Sequence, residues 1–335
     1  MPTHSWLRYN EPEFHLVEVS SYLSAIFIGK KISVLGVGPF EQALLNQLSS
    51  DAEKKQINLL KHLKKQSERF PYLESYEEVL SEKKIKEIKI EYGSSDLILC
   101  RYLLEHGVNP ILMLKNLGKL LKPGGLLYIE IPDSSKFLEL CDYSFIWEEH
   151  LSYFTEKTFM KTVQLAGYEV YKFMRFSGLL EDALTYVLRP VQNYCEDKTK
   201  VNYEIKKYKE YQFNFNKIKK SYINSLKGLI ASGKKIAVFG AGHQAIMFIN
   251  LVGIGPYVTK VIDDDPNKIG VNLPLSNIKI IGCDEAFSSH SIGIILLAIS
   301  PKIETEVIKK IRKINFKEIE FYSIFEGSSL GTLIR

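Results

Sequence analysis

Of the two Glu-His pairs, Glu105-His106 and Glu149-His150, the second is a candidate for proton chemistry. An imidazole with an ordinary pKa near ~6.5 accepts a proton at neutral pH. A neighbouring carboxylate can orient the ring or share a hydrogen bond with a developing negative charge. The second pair lies in Trp147-Glu-Glu-His-Leu-Ser-Tyr-Phe154. That stretch also reads as a loop entering a helix, with Glu148 and Glu149 at the positive end of the dipole. His106 reads either as a residue of a ligand crevice or as a helix cap. Two glycine turns suggest a different chemistry: Gly36-Val-Gly38 and Gly240-Ala-Gly242-His-Gln-Ala245. Such turns let backbone approach a ligand, and the following helix start offers free amides. A lone Gly-x-Gly also serves simply to pack a helix on a strand. The second turn fits the dinucleotide fingerprint with alanine third, and Asp263-Asp-Asp265 follows where a carboxylate would hold a ribose.

The elements that must position these residues alternate between strand and helix. Lys31–Leu35 is an apolar strand entering the first turn, and the helix Gln42–Leu48 follows. Ser95–Arg101 reads as a second buried strand, and the leucines after Pro110 fall at helical spacing. Lys122-Pro-Gly-Gly125 stops that helix, and Leu126–Ile131 makes a third strand closed by Pro132-Asp133. Short turns between such elements imply a parallel sheet covered on both faces. Ligands then sit at the carboxyl ends of the strands, which gathers Gly36–Gly38, Arg101–His106 and Pro132-Asp133 around one crevice. Residues 191–230 are polar, with Tyr203, Tyr208, Tyr211, Phe213 and Phe215 interspersed, and read as a long connecting helix. From Lys234 the strand–turn–helix pattern restarts. The expected fold class is therefore α/β: two Rossmann-like doubly wound parallel-sheet domains, 1–190 and 231–335, joined by a helical connector over 191–230.

Composition narrows the function classes. At 335 residues the chain exceeds one ordinary core. Hydrophobic residues are 45% and charged ones 25%, the balance of a globular protein. No apolar run approaches the ~20 residues of a membrane span, and Met-Pro-Thr-His-Ser-Trp lacks the pattern of a signal peptide. A cytoplasmic protein without membrane partners is expected. Cys100, Cys141, Cys195 and Cys283 are widely spaced, with no Cys-x-x-Cys pair, so neither disulfides nor a metal site is expected. The net charge of +5 is spread among interspersed acids, so nucleic acid is not an expected partner and a small-molecule substrate is.

The order of these segments resembles the S-adenosylmethionine-dependent sugar C-methyltransferases. The family pattern of aspartate, strand and Glu-His is similar to Asp96 through Glu105-His106. Its Leu-x-Pro-Gly-Gly-x-Leu-x-Ile-Glu-x-Pro-Asp segment matches Leu121 to Asp133 nearly throughout, and its Glu-His-Leu-Ser-Tyr-Phe signature is intact at Glu149–Phe154. Gly167-Tyr-Glu-Val170 resembles the family's late strand entry, and Asp263-Asp-Asp-Pro-Asn-Lys-Ile-Gly270 with Leu273-Pro274 resembles its C-terminal domain. The resemblance implies a class I methyltransferase domain over 1–190. It places S-adenosylmethionine by Gly36, Gly38, Glu41, Arg101, Glu105 and His106. It implies His150 as the base and Glu149 as its partner. Trp147, Tyr153, Gly240, Gly242, His243 and Asp263 then enclose an activated, nucleotide-linked keto sugar.

The departures fall at the cofactor. The family's Glu-Ile-Gly-x-Asn-Asp-Gly turn is replaced by Gly36-Val-Gly-Pro-Phe-Glu41, and the acid expected to hold ribose hydroxyls is absent from Gln56–His62. Trp147 replaces a tyrosine. The family's cysteine-rich zinc lobe has no counterpart before Tyr9-Asn-Glu-Pro-Glu13, so the chain reads as lacking it. Two other readings stay open: an NAD-linked oxidoreductase using Gly240–Asp263, and a non-catalytic scaffold.

Overall fold

A computed structural model of the chain describes residues 12–57, 80–147, 150–191, 202–288, 291–314 and 318–334. The chain divides into two compact units, one formed by Tyr9–Ser135 with Glu149–Glu204 and the other by Lys136–Glu148 with Ile205 onward.

The first unit contains helix α1 (Leu16–Ile26), strand β1 (Ser33–Gly36), α2 (Gln42–Gln47) and β2 (Glu53–Gln56). These are followed by α3 (Glu82–Tyr92), β3 (Ser95–Arg101), α4 (Pro110–Gly118) and β4 (Leu121–Pro132). Helix α5 (Glu156–Leu165), β5 (Tyr168–Phe176) and β6 (Ala183–Pro190) complete it. The sheet order is β2-β1-β3-β4-β6-β5. The first four strands are parallel, whereas β6 runs antiparallel between β4 and β5. The sheet is therefore mixed at one edge, where the hairpin β5–β6 closes it.

Strand alternation explains why helices cover both faces. Leu97 and Leu99 of β3 join Val34, Leu16, Val19, Leu23 and Leu44 in one core, beneath α1 and α2. Ile98 and Cys100 join Leu35, Ile85, Leu114, Leu117, Phe159 and Val163 in the other, beneath α3, α4 and α5. A period of two on the strand and apolar stripes on the helices are thus satisfied together. Sequence reading ended the helix after Pro110 at Lys122-Pro-Gly-Gly125 and began a strand at Leu126. In the structure β4 starts at Leu121, and the pairing jumps from Ser95–Leu121 to Leu97–Leu126. Residues 122–125 are accommodated as a bulge, which is how proline and glycine fit inside a strand.

The long helix α6 (Asn202–Ala231) covers most of the segment read as a connector, and from Ile205 it belongs to the second unit. Strand β7 (Lys235–Phe239), α7 (His243–Val252), β8 (Val258–Ile262), β9 (Ile280–Ile281) and α8 (Cys283–Phe287) follow. Strand β10 (Ile292–Leu297), α9 (Glu304–Ile314) and β11 (Glu320–Ser323) end it. The order β11-β10-β7-β8-β9 is parallel throughout, a doubly wound sheet. Residues 136–148, which the sequence reading grouped with the first domain, belong to this unit by contact. Aromatic packing is the reason. Tyr143 lies 4.3 Å from Tyr211 and 5.1 Å from Phe215 of α6, and Phe145 lies 5.8 Å from Phe325.

Candidate functional site

At the carboxyl edge of the first sheet, Gly36 at the end of β1 pairs with Leu99 of β3, and Arg101 at the end of β3 pairs with Glu130 of β4. The turn leaving β1 is closely bracketed. A Cβ on Gly36 would lie 2.2 Å from Gln56 Oε1, and one on Gly38 would lie 3.0 Å from Glu41 Oε1. At both positions the close atoms are the ends of the Gln56 and Glu41 side chains, so these side chains, not backbone, fill the space beside the turn. Gln56, the last residue of β2, donates its Nε2 hydrogen to the Gly38 carbonyl. Its Oε1 and the Glu41 Oε2 are both buried acceptors without a hydrogen-bond partner. Buried acceptors are normally satisfied, so two orphans on one turn mark it as a place for donors. Glu41 is completely buried, and the Arg101 backbone amide donates to its Oε1 at 2.8 Å. Burial raises its carboxyl to about 7, with the amide and guanidinium of Arg101 offsetting part of the effect.

Arg101 was expected to touch cofactor, and its guanidinium does something else. It is wholly buried and grips Glu130 with two hydrogen bonds of 2.7 and 3.0 Å. It also donates to the carbonyls of Phe40 at 2.6 Å and Pro12 at 2.8 Å. Glu130 further accepts from Tyr128 at 2.8 Å and pairs with His15 at 2.9 Å. Although burial opposes ionisation, His15 and Arg101 hold the Glu130 carboxyl down at about 2. A fork of parallel donors facing a carboxylate across adjacent strands makes Arg101 a strut beneath the site. Its backbone amide reaches the turn at Glu41, and its guanidinium holds the turn from below at the Phe40 carbonyl.

Beyond β3, His150 comes together with Glu105 and His106, the two residues that sequence placed at the cofactor. A short 3-10 turn, Leu104–His106, places Glu105 and His106, both buried. The Glu105 carbonyl accepts from the backbone amides of Leu151 at 2.8 Å and Ser152 at 2.9 Å, clamping the later loop to this turn. In consequence the His150 ring meets the His106 ring edge-to-face, with centroids 4.7 Å apart and planes at 89°. Tyr153 lies 5.9 Å from His150, ring to ring. One ligand atom each from Glu105, His106 and His150 lies within 4.8 Å of the others. No spacing motif announces this set, because His150 joins it only through the loop clamp. Glu149 lies outside the described residues.

Sequence reasoning also missed Arg175 of β5. It pairs with Asp133 at the end of β4, with Glu156 at 2.9 Å and with Asp182 at 3.3 Å. Asp133 additionally accepts from the Ser135 amide at 3.0 Å and hydroxyl at 2.7 Å. Only the strand register, which the sequence does not display, brings Arg175 to Asp133.

In the second unit the dinucleotide-like turn is internally satisfied. Gly240 has a φ of +100°, and a Cβ there would lie 2.5 Å from the Ala298 carbonyl, so β7 and the end of β10 require glycine. Asp263, the residue placed on a ribose by the NAD reading, accepts from the Ala241 amide at 2.7 Å, Lys268 at 3.1 Å and the Asp265 amide at 2.9 Å. Both carboxylate oxygens are engaged in holding the turn. Gly242 caps α7, and the buried His243 ring stacks on Trp147 at 4.0 Å and 19°. Burial lowers the His243 imidazole to about 3.

An antiparallel strand inserted next to last in an otherwise parallel sheet, with a glycine turn after β1, defines a class I methyltransferase domain. Comparison with known families agrees. Residues 5–172 match a methyltransferase domain, and residues 182–325 match a C-methyltransferase C-terminal domain. The chain belongs to the S-adenosylmethionine-dependent C-methyltransferase family. Among curated proteins, the C-methyltransferase NovU of Streptomyces niveus is 23% identical over 212 residues, which are 60% of this chain and half of NovU. Among solved structures, a 1,6-didemethyltoxoflavin-N1-methyltransferase of Burkholderia thailandensis, with S-adenosylhomocysteine bound, is 13% identical at a TM-score of 0.34. That match covers 53% of this chain and 79% of that one. An S-adenosylmethionine-dependent methyltransferase from Clostridium acetobutylicum is 9% identical at a TM-score of 0.35, covering 54% and 93%. Among the described residues no helix is long and apolar enough to cross a membrane.

Proposed function

We propose that the chain methylates a carbon of an activated, nucleotide-linked keto sugar, with His150 as the base. The observation that carries this reading is the clamped cluster of His150, His106 and Glu105 at the end of β3, the strand adjacent to the glycine turn of β1. The NovU likeness and the C-methyltransferase C-terminal domain support carbon as the acceptor atom.

S-adenosylmethionine, when bound, supplies an electrophilic methyl group on a sulfonium, together with an ammonium and ribose hydroxyls as donors. The residues present fit such a ligand. Glu41 Oε2 offers a buried acceptor for the ammonium, and Gln56 Oε1 offers one for a ribose hydroxyl at the position where an acid was sought. His150 then removes the proton from the carbon beside the sugar carbonyl. The carbon–hydrogen electron pair becomes the nucleophile, and the proton stays on the imidazole. His106 and the Glu105 clamp hold that ring in place, and positioning supplies much of the rate in an in-line displacement.

Isothermal titration with S-adenosylmethionine tests the cofactor half, and absence of heat at millimolar ligand would remove it. For the acceptor half, a panel of keto sugar nucleotides is incubated with the loaded protein and followed by mass spectrometry. Gain of one methyl group is expected, with His150→Gln lowering turnover about 10²–10⁴-fold while leaving cofactor affinity intact. Equal turnover in that variant would sink the base assignment.

A further inference from the structure

We propose that Glu105, His106 and His150 form a binding site for a divalent transition-metal ion, and that metal there blocks the base. Two imidazoles and one carboxylate, each offering an atom within 4.8 Å of the others, are a ligand set for zinc, cobalt or nickel rather than for magnesium or calcium. Around a tetrahedral ion at bond lengths of ~2.0–2.2 Å, ligand atoms stand about 3.4 Å apart. Closing the set from up to 4.8 Å to that spacing takes rotation of the three side chains.

The backbone holds these residues ready for that closure. Glu105 and His106 share one 3-10 turn, and the loop bearing His150 is hydrogen-bonded twice to the Glu105 carbonyl. The carboxylate and the His106 ring are buried, whereas His150 is half-buried and provides the approach from solvent. An ion held by three protein ligands keeps an open position for water.

The binding half of this inference stands on the geometry, and its consequence for catalysis rests on the reading of His150 as base. Coordination takes up the imidazole lone pair that proton abstraction needs. Zinc and the carbon acid then compete for one nitrogen, and a chelator reverses the inhibition.

Cobalt(II) titration of the whole chain reads the site directly. One equivalent is expected to give visible d–d absorption, displaced by one equivalent of zinc. Glu105→Gln, which keeps the backbone clamp, His106→Ala and the partly exposed His150→Ala are each expected to weaken cobalt binding at least ~10-fold. Circular dichroism identifies any variant that has lost its fold. No cobalt absorption in the wild type, or unchanged binding in folded His150→Ala, overturns the proposal. Cobalt absorption in a protein that gives no heat with S-adenosylmethionine supports the metal site while removing the methyl-transfer reading.

Discussion

Glu41 shows how far burial alone can retune a side chain. Its carboxyl sits at about 7 in the folded chain against 4.5 in the open. Between those values the unfolded chain has lost the proton and the folded one keeps it, so stability falls as pH rises from 4.5 to 7. Compared by urea denaturation at pH 5 and pH 8, the wild type is expected to lose about 2–3 kcal/mol more than Glu41→Gln. A flat difference between the two proteins would show that Glu41 is ionised throughout. On the reading that its Oε2 meets the cofactor ammonium, S-adenosylmethionine affinity rises with pH through 7 in the wild type and not in the variant. Arg101 illustrates the opposite outcome. Its charge is spent on Glu130 and two carbonyls, a pairing that the sequence reading, with Arg101 at the cofactor, did not contain.

At the scale of elements, the two glycine turns look alike in sequence and differ in what constrains them. The first is bracketed by the side chains of Gln56 and Glu41, the second by backbone. Gly240→Ala places a Cβ 2.5 Å from the Ala298 carbonyl at a left-handed φ, and is expected to cost about 3 kcal/mol in denaturant unfolding. Gly242→Ala, with nothing within 4 Å, is the control and is expected to cost under ~1 kcal/mol. Equal costs would remove the packing explanation. Gly240 in the second unit therefore reports the close approach of the Ala298 backbone, and Asp263 reports the capping of that turn. The strand–helix alternation, the breaks at proline and glycine, and the amphipathic helices were all legible, since periodicity and turn chemistry are local. The antiparallel β5–β6 hairpin was not, because period-two burial looks the same whichever way a strand runs.

At the scale of the whole molecule, each unit carries its own acid-sensitive group. His243 titrates near 3 when folded and 6.5 when free, so the folded state resists its protonation and stability is lost as pH falls below 6.5. His243→Phe keeps a ring against Trp147 and removes the titration. Between pH 7.5 and 4.5 the wild type is expected to lose about 2–3 kcal/mol more than this variant. Parallel losses in the two proteins would show that His243 is charged in the fold. Glu130 acts lower on the scale. Its carboxyl lies at about 2, so its contribution is present above 4.5 and disappears as pH falls towards 2.

What the amino-acid order determined by itself was the pair of α/β sheets, the long helix between them, the two turns, and the family signatures at Leu121–Asp133 and Glu149–Phe154. Each is written in neighbours a few residues apart. Tertiary structure alone decided that Arg101 is a strut, that Gln56 lies against the first turn, and that His150 meets His106 forty-four residues away. Those outcomes depend on strand register and on one carbonyl receiving two amides, contacts that chain order does not encode locally.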